Sequence, residues 1–143
     1  MNAYAKSADT YLTQRILGAS PEQQAALIME AGQLHLGKAI RSLNENNLPA
    51  AVNSFLRVSE VIMEATARLD LEGGSELAQN LKRLYDFWTA EIMLASKARD
   101  TARLAAVAKG MGEIRTAWEQ FHEKKAGAGA PATTRPQLGD QVV

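Results

Sequence analysis

Residues 84–118 read LYDFWTAEIMLASKARDTARLAAVAKGMGEIRTAW. Apolar side chains recur at every third or fourth position on both sides of Asp100. Leu84, Trp88, Ile92 and Ala95 precede it; Leu104, Val107, Met111, Ile114 and Trp118 follow. That spacing is helical, so the stretch reads as two amphipathic helices joined by a tight turn. Asp100 suits the N-cap of the second, because its side-chain oxygen can accept from a free backbone N–H in the first turn.

The same punctuation extends outward. Ser75 follows Gly73-Gly74, a helix stop and the cap of the next start. Ser20-Pro21-Glu22-Gln23 is a capping-box start, with proline where the missing N–H costs nothing. Asn44-Glu45-Asn46-Asn47 breaks the chain, and Pro49 opens another helix. Four helices follow: from Pro21 to about Leu43, from Pro49 to about Leu69 or Asp70, from Ser75 to about Ala98, and from Asp100 to near Lys124. Alternating strand patterns are absent. Short connections favour an all-α, antiparallel four-helix bundle. Residues 1–20 add a short amphipathic helix over the bundle, residues 21–125 form the bundle, and residues 126–143, rich in Ala, Gly, Pro and Thr, have little to bury and read as a disordered tail.

The faces are less uniform than the punctuation. The last helix has one clean stripe of Leu104, Val107, Ala108, Met111, Ile114, Trp118 and Phe121. Its Gly110 and Gly112 lower helix propensity, a cost offset where another backbone approaches closely. The second helix places Val52, Phe55, Leu56, Ser59, Ile62, Met63, Thr66 and Leu69 on its main face, leaving Val58, Val61 and Ala65 off it. The third carries Leu77, Leu81, Leu84, Trp88, Ile92 and Ala95, with Phe87 and Leu94 displaced. The first has Leu27, Ala31 and Leu34, but also Ile28, Leu36, Ile40 and Leu43. Arcs this wide fit either a bundle whose helices each touch two neighbours or a surplus groove that receives a partner helix.

Composition narrows the chemistry. The chain has 143 residues, no cysteine, and 16 basic against 16 acidic residues, for a net charge of zero. Disulfides, thiolate metal sites and a cysteine nucleophile are excluded, and the basic excess of nucleic-acid binders is missing. No apolar run approaches a membrane span. The first residues lack the basic-then-apolar order of a signal peptide, so a cytosolic protein is expected. Glu119-x-x-His122 is half of a di-iron pattern, but the only other histidine, His35, has Gly32 where a glutamate is needed. Neither a nucleophile elbow nor a phosphate loop is present. No enzyme, metal or cofactor is expected.

Several stretches match a known family in order and spacing. They are Tyr11 before Ala19-Ser20-Pro21, the polar break at Asn46-Asn47, Leu69-Asp70 before Gly73-Gly74-Ser75-Glu76-Leu77-Ala78, and most specifically Leu84-Tyr85-Asp86-Phe87 and Ala117-Trp118. From Tyr4 to Trp118 the chain resembles the flagellar secretion chaperones of the FliS family. One departure is Met29, within Ile28-Met29-Glu30-Ala31-Gly32, where the family usually has a tyrosine.

The resemblance implies a bundle that binds the C-terminal segment of flagellin in the cytosol. It implies that the complex blocks premature polymerisation and docks on the cytoplasmic domain of the flagellar export gate. Docking, and a lid over the empty groove, would fall to the N-terminal region, here Tyr4, Tyr11 and Ile16. The groove candidates are the apolar residues off each main stripe: Leu27, Ile28, Leu36, Ile40, Val58, Val61, Phe87 and Leu94. The rival expectation is a bundle that self-associates through the same arcs, as a homodimer without a client.

Overall fold

A computed structural model of the chain describes residues 18–127. Among them are four helices: α1 (Pro21–Asn44), α2 (Leu48–Ala67), α3 (Glu76–Ala98) and α4 (Thr101–Gly127). The expected short N-terminal helix and C-terminal tail lie outside the described residues.

Each helix start is set by a side chain. Ser20 Oγ accepts from Gln23 N at 3.2 Å, and Gln23 Oε1 accepts from Ser20 N at 2.9 Å, completing the capping box. Asn47 accepts from Ala50 N at the start of α2, and Ser75 accepts from Ala78 N at the start of α3. Asp100 Oδ1 accepts from Arg103 N at 3.2 Å and caps α4. The ends are equally local. Asn46 and Arg99 carry the left-handed turns after α1 and α3, at φ 58° and 53°. The Arg99 side chain donates to Leu43 O and Asn46 Oδ1, tying both turns together at one end of the bundle. α2 stops at Ala67, short of the expected Leu69 or Asp70. There Asp70 Oδ1 accepts from Gly73 N at 2.9 Å, and this turn takes up residues the helix would otherwise use.

Paired contacts fix the topology. Ser20 Oγ meets His122 Nδ1 at 3.0 Å and Gln33 donates to Ala108 O, so α1 and α4 are antiparallel. Arg68 donates to Gln24 from the far end of α2, and Arg103 pairs with Glu91 across the α3–α4 turn. α1 packs along its length on α2 and α4, α3 rests on α4, and α2 and α3 touch only sparsely.

The glycines account for part of this asymmetry. A Cβ on Gly32 of α1 would sit 2.9 Å from Met111 Sδ, and one on Gly110 of α4 would sit 3.3 Å from Trp88 Cζ2. α4 therefore approaches α1 and α3 closely, whereas α2 and α3 contain no glycine. The buried set centres on Met29, Leu36, Val58, Leu104 and Met111, all 1% exposed or less. Tyr85 joins it beneath Trp88, ring centroids 5.5 Å apart, and burial pushes its phenol up to about 12.

Two helices turn a different face inward from the one expected. On α2 the buried residues are Ala51, Ser54, Val58, Ile62 and Ala65, while Val52, Leu56 and Met63 are exposed. On α1 they include Ile28, Met29, Gly32, Leu36, Ala39 and Leu43, while Leu34 is 54% exposed. The small residues explain both reversals. Ala51, Ser54 and Ala65 are buried on α2, which packs along α1, and a Cβ on Gly32 of α1 would sit 3.4 Å from Val61 Cγ1, so small side chains face inward and the bulkier stripes are left outside.

Candidate docking groove

The sparse α2–α3 side is an open groove of about 400 Å³. Val58, Ile62 and Ile92 line its base, each at most 8% exposed. Val52, Phe55 and Leu56 of α2 and Met93 of α3 stand along its rim. Val52, Leu56 and Met93 are 58%, 59% and 54% exposed, so three large apolar side chains border one trough. Met63 continues the α2 stripe one turn beyond Ser59 and is 68% exposed.

Three lining residues carry hydroxyls: Ser59, Thr89 and Ser96. Thr89 Oγ1 donates to Tyr85 O at 3.0 Å and Ser96 Oγ donates to Met93 O at 2.9 Å. Those two bonds return to their own helix, so α3 offers the groove mainly carbon and sulfur. No ionisable side chain lines it. The α2 stripe from Val52 to Met63 spans roughly 17 Å, the length of about three helical turns. A surface of this kind removes apolar area from water along a partner helix. Among its lining residues there is no acidic, basic or imidazole side chain.

A second cleft, of about 570 Å³, lies between the start of α1 and the end of α4. It is larger but polar, and three of its charged side chains pair with one another. Arg115 faces Glu30 at 3.6 Å and Glu119 at 3.4 Å. Beside it Lys125 Nζ meets the fully buried Glu22 at 2.6 Å. Among the described residues no His, Asp and Glu cluster could hold a metal ion.

The eight residues expected to form a groove do not share one surface. Ile28, Leu36 and Val58 are buried in the core, and Ile40 and Val61 are half-buried against it. Of the eight only Val58 lines the α2–α3 groove, from beneath. Leu27 lines the polar cleft instead. Phe87 and Leu94 are exposed, at 59% and 55%. They occupy a separate stripe of α3, since Leu94 follows Met93 by one residue, about 100° around the helix. Tyr4, Tyr11 and Ile16 lie outside the described residues. The α2 residues that line the rim were legible as an apolar stripe, but that stripe was read as the helix's main face; Met93 of α3 belonged to no stripe.

The family model for the flagellar protein FliS matches residues 3–125. The chain belongs to the FliS family. The flagellar secretion chaperone FliS of Vibrio cholerae is 28% identical over 122 residues, covering 85% of this chain and 87% of that protein. FliSB of Pseudomonas aeruginosa, also named a flagellar secretion chaperone, is 26% identical, covering 83% of this chain and 94% of its own length. FliS of Salmonella typhimurium is 26% identical, at 76% and 82% coverage. The match spans all four helices, so both walls of the groove belong to the part of the chain that is FliS-like.

Proposed function

We propose that this FliS-family chain is a flagellar secretion chaperone. It holds the C-terminal segment of flagellin in the α2–α3 groove in the cytoplasm, prevents premature polymerisation, and delivers the cargo to the cytoplasmic domain of the flagellar export gate. Family membership and the relatives' names support the secretion role. The observation that carries the binding reading is the open seam itself, with Val52, Leu56 and Met93 exposed over a base of Val58, Ile62 and Ile92. A segment that folds as it binds forfeits ordering entropy, and a long apolar trough can offset that loss. The chain does no covalent chemistry in this role. No helix among the described residues is long and apolar enough to cross a membrane. Delivery to the export gate is assigned to the region of Tyr4, Tyr11 and Ile16.

Purified protein mixed with full-length flagellin is expected to form a stoichiometric complex in sedimentation. Removing roughly the last 40 residues of flagellin, a length set by helix-in-groove docking, is expected to abolish it. Leu56→Asp should prevent the complex while leaving helicity and stability intact, since Leu56 is 59% exposed. Unchanged binding by Leu56→Asp would remove the groove from the mechanism. Concentration-dependent dimers that ignore flagellin would favour self-association instead.

A further inference from the structure

The methionines divide into two classes. Met29 and Met111 are 1% and 0% exposed, with Met111 Sδ pressed against Gly32. Met63 and Met93 are 68% and 54% exposed and stand on the α2 stripe and on the α3 wall of the groove. We propose that Met63 and Met93 are a reversible oxidation site that switches the groove off under peroxide. The inference rests on the groove reading above, because it assigns a regulation to the same surface.

The chemistry is a two-electron oxygen transfer from a hydroperoxide. A thioether sulfur lone pair attacks one peroxide oxygen, so that the S–O bond forms as the O–O bond breaks. With hydrogen peroxide, the proton of the transferred oxygen moves to the departing oxygen, which leaves as water. The sulfur is oxidised to the sulfoxide and the peroxide is reduced. Access decides which methionine reacts, and the two core sulfurs are closed to solvent. The product replaces a soft apolar group with a strong hydrogen-bond acceptor. The groove is poorly equipped to satisfy that acceptor: the Thr89 and Ser96 hydroxyls already donate to Tyr85 O and Met93 O, which leaves the Ser59 hydroxyl as the one other donor among the lining side chains. An apolar helix laid over the sulfoxide would bury it unpaired, weakening binding roughly tenfold per modified residue. Methionine sulfoxide reductases reverse the change, taking two electrons from a dithiol that becomes a disulfide while the sulfoxide oxygen leaves as water, which makes it a switch rather than a lesion.

The test treats the purified chain with hydrogen peroxide, removes the peroxide with catalase, and then adds untreated full-length flagellin. Peptide mass spectrometry should find sulfoxide at Met63 and Met93 well before Met29 or Met111. Affinity should fall about tenfold or more and return after reductase treatment. A Met63→Leu/Met93→Leu double variant should bind flagellin and keep that binding after peroxide; Met1 is present in both chains and cancels. Oxidation of the core methionines at the same rate, unchanged affinity of the oxidised protein, or an equal loss in the double variant would each overturn the proposal. If the untreated chain fails to bind flagellin, the client reading falls separately. The apolar dye 8-anilinonaphthalene-1-sulfonate then decides the switch. Peroxide should lower its fluorescence on the native chain but not on the double variant, and equal fluorescence changes would end the proposal.

Discussion

Glu22 is the one fully buried carboxylate among the described residues, and its surroundings set an acid limit on the fold. Burial alone would raise its pKa. The hydrogen bond from Lys125, its own backbone N–H and the Lys125 charge outweigh burial and hold the carboxyl below its ordinary 4.5. A depressed carboxyl contributes stability above its unfolded value and loses it as pH falls through the folded one. His35 shifts downward for other reasons: burial first, then the nearby Lys38 and Arg57, with Glu60 opposing. Its neutral form is the one the fold prefers, so stability declines as pH falls below 6.5 and levels off beneath the depressed value. Two acid losses are therefore expected, one starting below 6.5 and one below 4.5. Urea titrations across pH 3–8 should show both (a range set by ordinary His and carboxyl values). His35→Gln should erase the upper loss alone. Glu22→Gln should erase the lower one and cost about 1–2 kcal/mol at neutral pH, the value of a lost charge-assisted hydrogen bond whose lysine partner can return to water.

Element by element, the helices were legible because their limits are local. Ser20, Ser75 and Asp100, read as caps, each cap the helix that follows, and Asn47, read only as part of a break before Pro49, caps a helix that starts at Leu48. The inward faces were not legible on α1 and α2, because hydrophobic size misleads where small residues decide the approach. Packing tests this at two glycines. Gly32→Ala brings a Cβ to 2.9 Å from Met111 Sδ in a fully buried site. Overpacking should exceed the gain in helix propensity, for a net loss of about 1 kcal/mol. Gly112→Ala instead meets Gln33 Nε2 at 2.5 Å, the end of a flexible and half-buried side chain that can swing aside only by giving up its hydrogen bond to Ala108 O. The lost hydrogen bond and the gain in helix propensity oppose each other, so a change within about 1 kcal/mol of zero is expected there, read from denaturant midpoints at constant slope. Trp118, 5% exposed and edge-on to Phe121 at 6.1 Å, marks the other extreme. Trp118→Ala should cost about 3–5 kcal/mol.

At the scale of the whole molecule, the groove is where the bundle fails to close. α4 comes close to α1 and α3 at Gly110, Gly112 and Gly32, and the α2–α3 side has no such residues to bring it together. Which side stays open depends on all four helices at once, so no single stripe could reveal it. The α2 stripe carries a surplus of apolar residues, but deciding whether a neighbour covers it requires the packing of α1. The same geometry sets the thermodynamics of binding. The groove has no ionisable lining, and two of its three hydroxyls are bonded back to their own helix. Association should therefore be driven by apolar burial, giving a clearly negative heat-capacity change in calorimetry across temperature. Raising salt from about 50 to 500 mM should alter affinity by less than about threefold, because screening acts on charges and the contact surface offers none. A steep salt dependence, with little heat-capacity change, would place the partner on the charged cleft at Arg115 and Glu30 rather than between α2 and α3.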